Sequence, residues 1–230
     1  MAAGLQPPLR FGNEVVARLL RFRFNHPANA DNLELLPNNP ITRAETAYSV
    51  ARVLQLTQWD LQWANSLASS FSLPEYTDWQ RRVLTRAVRF VGYPYVWGGM
   101  WETPEAPFGV RAPGGFDCSG FVWRIYKLRP YAGAPRLGTT IIGRTTYQMS
   151  GEIPRTRRIP RGHLRPADLV FFGDNGTRST PAQVGHVGMF LGHGWFIHSS
   201  SQGVTVVPLT DWYATSFAWG RRPLAEVGLS

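Results

Sequence analysis

The chain has one cysteine, Cys118, and five histidines, and sulfur beside imidazole is a combination that supports nucleophilic catalysis. Cys118 stands in Phe116-Asp117-Cys118-Ser119-Gly120-Phe121-Val122-Trp123, after a glycine pair and before an apolar helix that should end near Leu128. Asp117 or a neighbour can cap that helix, which places Cys118 in its first turn. Unpaired amides and the helix macrodipole favour an anion there. The arrangement therefore predicts a thiolate at neutral pH, with backbone donors nearby for an oxyanion. The plainer alternative is a small buried hydrophobe.

A sulfur nucleophile needs a base. His26 lies in a loop and His163 precedes a proline-containing segment, so both read as surface residues. His186 sits inside the apolar run Val184-Gly185-His186-Val187-Gly188-Met189-Phe190, where the flanking glycines allow another chain to come close. His198 ends Trp195-Phe196-Ile197-His198, and Gly192-His193-Gly194 can turn one run back on the other. If Leu191 pairs with Trp195, His186 faces Ser200 and His198 lies one diagonal step away on the same face. A two-residue turn would send the histidines to opposite faces unless a bulge intervened. The hairpin thus makes a Cys–His–His relay possible, with zinc held by Cys118, His186 and His198 as the metal alternative. No acidic or second cysteine ligand supports the metal, and no cofactor is expected.

Helical patterns come first along the chain and strands second. Residues 14–22 have helical character, and an Asn- and Pro-rich loop follows over 25–40. Thr42-Arg43-Ala44-Glu45 has the capping-box pattern, and Ala47, Val50, Ala51 and Leu54 then recur at helical spacing, which predicts one buried face. Thr57 should start a helix with Trp59, Trp63, Leu67 and Phe71 four apart. Asp78 should cap another over 79–91. From Gly92 onward Gly, Pro and aromatics dominate, and short strands are predicted over 168–173, 184–192, 195–199, 204–209 and 217–221. Helices followed by strands predict an α+β fold with a largely antiparallel sheet. The expected division is a helical N-terminal region over 1–77 and a catalytic domain over 78–230.

With 13% aromatic and 43% hydrophobic residues, the chain is not disordered in character. No apolar run approaches the ~18–20 residues of a membrane span. Its 23 glycines and 18 prolines exceed the roughly 12% that these two types average together, which favours turns and short strands. The net charge is +9, almost all from arginine, with Lys127 the one lysine. Such a surface suits anionic partners, including anionic wall polymers, but no nucleic-acid motif is present and Arg155-Thr156-Arg157-Arg158 reads as a solvated loop. A lone cysteine excludes an internal disulfide framework. Met1 to Pro8 lacks the basic-then-apolar pattern of a signal peptide, which reads either as a cytoplasmic protein or as a mature chain with its signal removed.

Five ordered blocks resemble the signature of the NlpC/p-sixty cell-wall cysteine endopeptidases. They are Tyr95-Val96-Trp97-Gly98-Gly99, the Cys118 block, Arg165-Pro166-Ala167-Asp168-Leu169-Val170-Phe171-Phe172, the His186 block through Gly192, and Phe196-Ile197-His198. The resemblance covers roughly 79–222. It implies a papain-like core and hydrolysis of amide bonds in peptidoglycan stem peptides, commonly γ-D-glutamyl to a diamino acid. It further implies Cys118 as nucleophile, His186 as base and His198 as the polar third member. Tyr95 matches a tyrosine near the oxyanion and substrate amine. Asp117 and Ser119 match residues that hold the free amine of the stem peptide in some members, and Trp97 stands in the tyrosine block at the same substrate side. Arg144-Thr145-Thr146-Tyr147-Gln148 resembles the family's segment before the central strands, lining the cleft or packing beneath it.

Two stretches depart from the family pattern: 100–115, expected to be a loop at the cleft rim, and 129–140, which looks extended. Pro40-Ile41-Thr42-Arg43-Ala44-Glu45 faintly resembles the core of an S-layer homology repeat, so the N-terminal region is either an anchor or a scaffold on the catalytic domain. The alternatives to a peptidoglycan endopeptidase are another Cys–His amidase or acyltransferase, or a non-catalytic wall-binding protein. A substrate of this kind implies a secreted or wall-associated protein, with cytoplasmic recycling of free stem peptides as the alternative.

Overall fold

Five strands with β-branched and aromatic residues on both faces build the sheet that carries the two candidate histidines. The computed structural model describes residues 4–22 and 33–229. The segment 23–32, with His26 and the start of the expected Asn/Pro loop, lies outside the described residues. Four helices come first: α1 (Phe11–Leu19), α2 (Arg43–Leu54), α3 (Gln58–Ser70) and α4 (Asp78–Val88). Two short strands, β1 (Met100–Trp101) and β2 (Gly115–Phe116), pair antiparallel just ahead of α5 (Cys118–Tyr126), and α6 (Thr146–Gly151) follows. The sheet contains β3 (Leu169–Gly173), β4 (Val184–Gly192), β5 (Trp195–Ser200), β6 (Gly203–Pro208) and β7 (Phe217–Arg221), with α7 (Asp211–Ser216) before β7 and α8 (Pro223–Glu226) after it. All pairings are antiparallel, in the order β6-β5-β4-β3-β7. This is the α+β architecture expected from the helix-then-strand pattern.

Side chains alternate across the sheet and supply a core on each face. Val187, Met189 and Ile197 pack with Phe121, Val122 and Ile125 of α5 and with Val83 and Leu84 of α4. Phe172, Phe190, Phe196 and Phe217 fill the other face. Each such side chain, fully buried, contributes roughly 1.5–3 kcal/mol.

The β4–β5 hairpin resolves the register question in a specific way. Gly192 pairs with Trp195, so the loop is the two residues His193 and Gly194, both with positive φ as a type I′ turn requires. That turn alone would put the histidines on opposite faces. A register shift between Phe190 and Gly192 compensates, and Phe190 then pairs with Phe196 and Gly188 with His198. The bulge leaves His198 diagonal to His186 on one face.

Two helical details depart from expectation. α4 is capped by Thr77 rather than Asp78, because Thr77 and Gln80 form a reciprocal capping box one residue earlier. The predicted apolar face of α2 is turned to solvent: Val50 is 53% and Leu54 81% exposed. The inward face is instead Glu45, Tyr48, Ser49 and Arg52. Arg52 Nε donates to the Leu20 carbonyl at 3.0 Å, Ser49 Oγ to Phe22 at 3.4 Å and Tyr48 Oη to Arg21 at 3.5 Å. These carbonyls follow the last turn of α1, so polar contacts to that end decide the rotation of α2. α1 is in turn tied to the sheet side by buried Arg18, which donates to Gln202 O at 2.5 Å, to Gly92 O, and to Glu34 Oε1 at 2.7 Å.

Candidate active site

Asp117 starts α5 as its N-cap, with Oδ1 accepting from the Gly120 amide at 2.5 Å, and so sets Cys118 as the first helical residue. No side chain is possible at Gly120, because a Cβ would collide with the Gly99 carbonyl oxygen. That close approach brings the tyrosine block against the start of the helix. The Val96 amide donates to Phe116 O at 3.3 Å and the Phe116 amide to Pro94 O at 3.1 Å, holding half-buried Tyr95 beside β2.

Cys118 is buried and free of any disulfide. The amides of Val187 and Ser119 point to its sulfur and favour the thiolate, as the helix start does. Burial outweighs them, with Asp117 adding to it, and pushes the thiol up to about 12. The helix terminus and burial thus act in opposite directions on the thiol, and desolvation of the charged form is the larger of the two effects.

Val187 directly follows His186, so Cys118 lies within one residue of His186 along β4. His186 sits next to the register shift at Phe172/Gly173, where an irregular strand can re-aim a side chain. His186 Nε2 is 2.7 Å from His198 Nδ1. Phe172, Phe196 and Tyr213 pack around the two rings, with Tyr213 edge-on to His198 at 5.2 Å. Burial lowers His186 to about 4 and holds His198 well below the ordinary histidine value, which favours the neutral form of both rings. Tyr213 had no signal in the sequence, since only the return of α7 across the sheet brings it to the relay.

The cleft in front of Cys118 has a volume of about 750 Å³ and is lined by Trp97, Phe108, Asp117, Ser119, Arg144 and Gly185, among others. The 100–115 segment forms its rim, with its ends paired as β1 and β2. Its Glu105 carboxylate accepts from the Met100 and Trp101 amides at 3.0 and 3.2 Å. The 129–140 segment packs behind the site instead, with Arg86 stacked on Tyr131 at 3.5 Å. Arg144 lines the cleft. It donates to Asp117 Oδ1 at 3.0 Å, Asp117 Oδ2 at 3.1 Å, Ser119 Oγ at 2.7 Å and the carbonyls of Gly98 and Gly99, both at 3.1 Å. Asp117 also accepts from Ser119 Oγ and the Gly98 amide, each at 3.0 Å, which fills its acceptor capacity. His163 and His193 are exposed and away from the cleft. Among the described residues, no group of three His, Cys, Asp or Glu side chains is placed to hold a metal ion.

A cysteine at a helix start, a strand histidine and a second histidine behind it define a cysteine-hydrolase type of site on an α+β scaffold. The model of the NlpC/P60 family matches residues 92–222, and the chain belongs to that family. It is 35% identical over 142 residues to a γ-D-glutamyl-L-lysine dipeptidyl-peptidase of Bacillus cereus, covering 59% of this chain and 34% of that protein. It is 31% identical over 142 residues to the murein DD-endopeptidase MepH of Escherichia coli, covering 60% of this chain and 44% of that one. A solved NlpC/P60 family protein from Bacillus cereus is 26% identical, with a TM-score of 0.46 over 67% of this chain and 43% of that chain. The chain thus spans a third to under a half of the length of the curated relatives named here. Among the described residues, no helix is long and apolar enough to cross a membrane.

Proposed function

We propose that this protein is a cysteine endopeptidase that hydrolyses amide bonds in peptidoglycan stem peptides, at a γ-D-glutamyl-diamino acid linkage. The observation that carries this reading is the 2.7 Å His186–His198 contact behind a cysteine at the start of α5, in a chain of this family. The same chemistry is named for the Bacillus cereus relative.

His186 is a competent base when its Nε2–H donates to His198 Nδ1, which leaves Nδ1 of His186 unprotonated. Burial disfavours both charged forms in the resting site, so the thiolate forms as its proton moves to His186. The Cys118 proton passes to His186 as sulfur bonds to the scissile carbonyl carbon, and the start of α5 offers amides and the positive dipole end to the oxyanion. The imidazolium returns that proton to the departing amine, leaving a thioester. Water then attacks, His186 takes its proton, and the acid and free thiol are released.

Tyr95, Trp97 and Ser119 are assigned to the substrate side of the cleft. Asp117 stands at the same side, and it also orients the Arg144 guanidinium. The helices over 1–77 serve as a scaffold to the domain over 78–230, as the Arg18 contacts suggest. Wall peptides outside the membrane imply an exported, wall-associated enzyme, and the +9 charge suits retention on anionic wall polymers.

The test is digestion of purified sacculi at several salt concentrations, with fragments identified by mass. Peptides cut after D-glutamate are expected, with wall association weakening as salt rises. Cys118→Ala and His186→Ala should abolish release, and His198→Ala should reduce it less. Full activity on free peptides with none on sacculi would move the protein to cytoplasmic recycling, and release of no peptide from either would remove the peptidase reading.

A further inference from the structure

A second cavity, of about 490 Å³, lies behind the relay and shares no wall residue with the catalytic cleft. One wall comes from the N-terminal helices, with Arg52, Trp59, Asp60 and Trp63. The other comes from the β5–β6 hairpin and α7, with Trp212 and Tyr213. His198 contributes to its floor. The volume is that of a small-ligand site rather than a packing defect.

The chemistry of the walls is unusual for a surface. Trp59 and Trp63, one turn apart on α3, stack with ring centroids 6.2 Å apart and planes 10° from parallel. Trp59 is 67% and Trp212 55% exposed, so large indole faces are held open where a core would have covered them. The charges beside them are matched, with Arg52 and Asp60 3.9 Å apart. Below, His198 Nε2 and the Oγ1 of its cross-strand partner Thr205 are buried without a hydrogen-bond partner among the described residues. Buried polar atoms of this kind call for an ordered water or a ligand group.

Flat apolar faces with a balanced donor and acceptor set suit a neutral ring that has one C–H-rich face and equatorial polar groups. We infer that this cavity binds a hexopyranose unit of an N-acylated amino-sugar strand. A ring face stacks on Trp59 and Trp63, and Arg52 and Asp60 serve the ring substituents. The inference rests on the wall-substrate reading for the source of the sugar but not for its binding. An enzyme that holds the glycan behind the relay and cuts the peptide in front would act on attached stems more effectively than on free ones.

Calorimetric titration of the full chain with a soluble, peptide-free tetramer of N-acetylglucosamine tests this. Saturable binding is expected, weakened by about tenfold or more in Trp59→Ala and Trp63→Ala. Cys118→Ala should keep it. Both tryptophan variants should cleave free stem peptides at the wild-type rate, which checks their folding, and should show a raised KM on sacculi. Absence of binding in the wild type, or equal affinity in the wild type and both variants, overturns the inference. Glycan binding without release of any peptide from sacculi would sustain it and sink the peptidase reading instead.

Discussion

Arg144 grips Asp117 with its two terminal guanidinium nitrogens, at 3.0 and 3.1 Å, so the residue that caps the Cys118 helix is also held by a cation in the cleft wall. The same guanidinium reaches the Gly98 and Gly99 carbonyls and thereby joins the tyrosine block, the helix start and the segment before α6. Lysine cannot reproduce this planar, multi-donor contact. Arg144→Lys is expected to lower kcat/KM by about tenfold to a hundredfold with a smaller loss of thermal stability. Arg144→Ala leaves the buried Asp117 carboxylate without its counter-ion and should cost on the order of 2–3 kcal/mol in denaturant unfolding. Wild-type kinetics in Arg144→Lys would show that the clamp has no part in catalysis.

Burial dominates the environment of Cys118, and its reactivity should follow. With the thiol pushed up to about 12, iodoacetamide should modify the resting enzyme more slowly than free cysteine at pH 7–8, with a rate that keeps rising at alkaline pH. Alkylation rates followed by intact mass across pH 6–10 check this. An inflection below pH 7 would mean that a thiolate–imidazolium pair already exists at rest.

The neutral histidine pair links stability to acid. His186 and His198 both have folded-state values below the unfolded one, so the unfolded chain binds more protons as the pH falls. Their contribution to stability is fully present above about pH 6.5 and is lost as pH falls toward the His186 value of about 4. Glu105 and Asp168, raised by burial, act in the opposite direction, so a single curve mixes the two. The comparison that isolates the pair is wild type against His198→Gln, which removes one titrating ring. Urea midpoints at pH 7.0 and 4.5 should fall less in the variant than in the wild type. An equal fall would show that the pair does not carry the acid sensitivity.

Much of this protein can be read along the chain because the relevant physics is local. The Asp117 cap, the first-turn position of Cys118 and the strand patterns around His186 and His198 depend on neighbours a few residues apart, and the structure has them where the pattern predicts. The meeting of the two histidines was legible only as a conditional, since the turn length and the bulge between Phe190 and Gly192 had to be known together. Other features belong to the tertiary structure alone. α2 turns its polar side inward because distant carbonyls at the end of α1 need donors, which overrides its apolar periodicity. Arg144 finds Asp117 across 27 residues of chain. The pull on the thiol also depends on how deeply α5 is buried against β4: a helix terminus is a local property, but the desolvation that opposes it comes from everything packed around the sulfur.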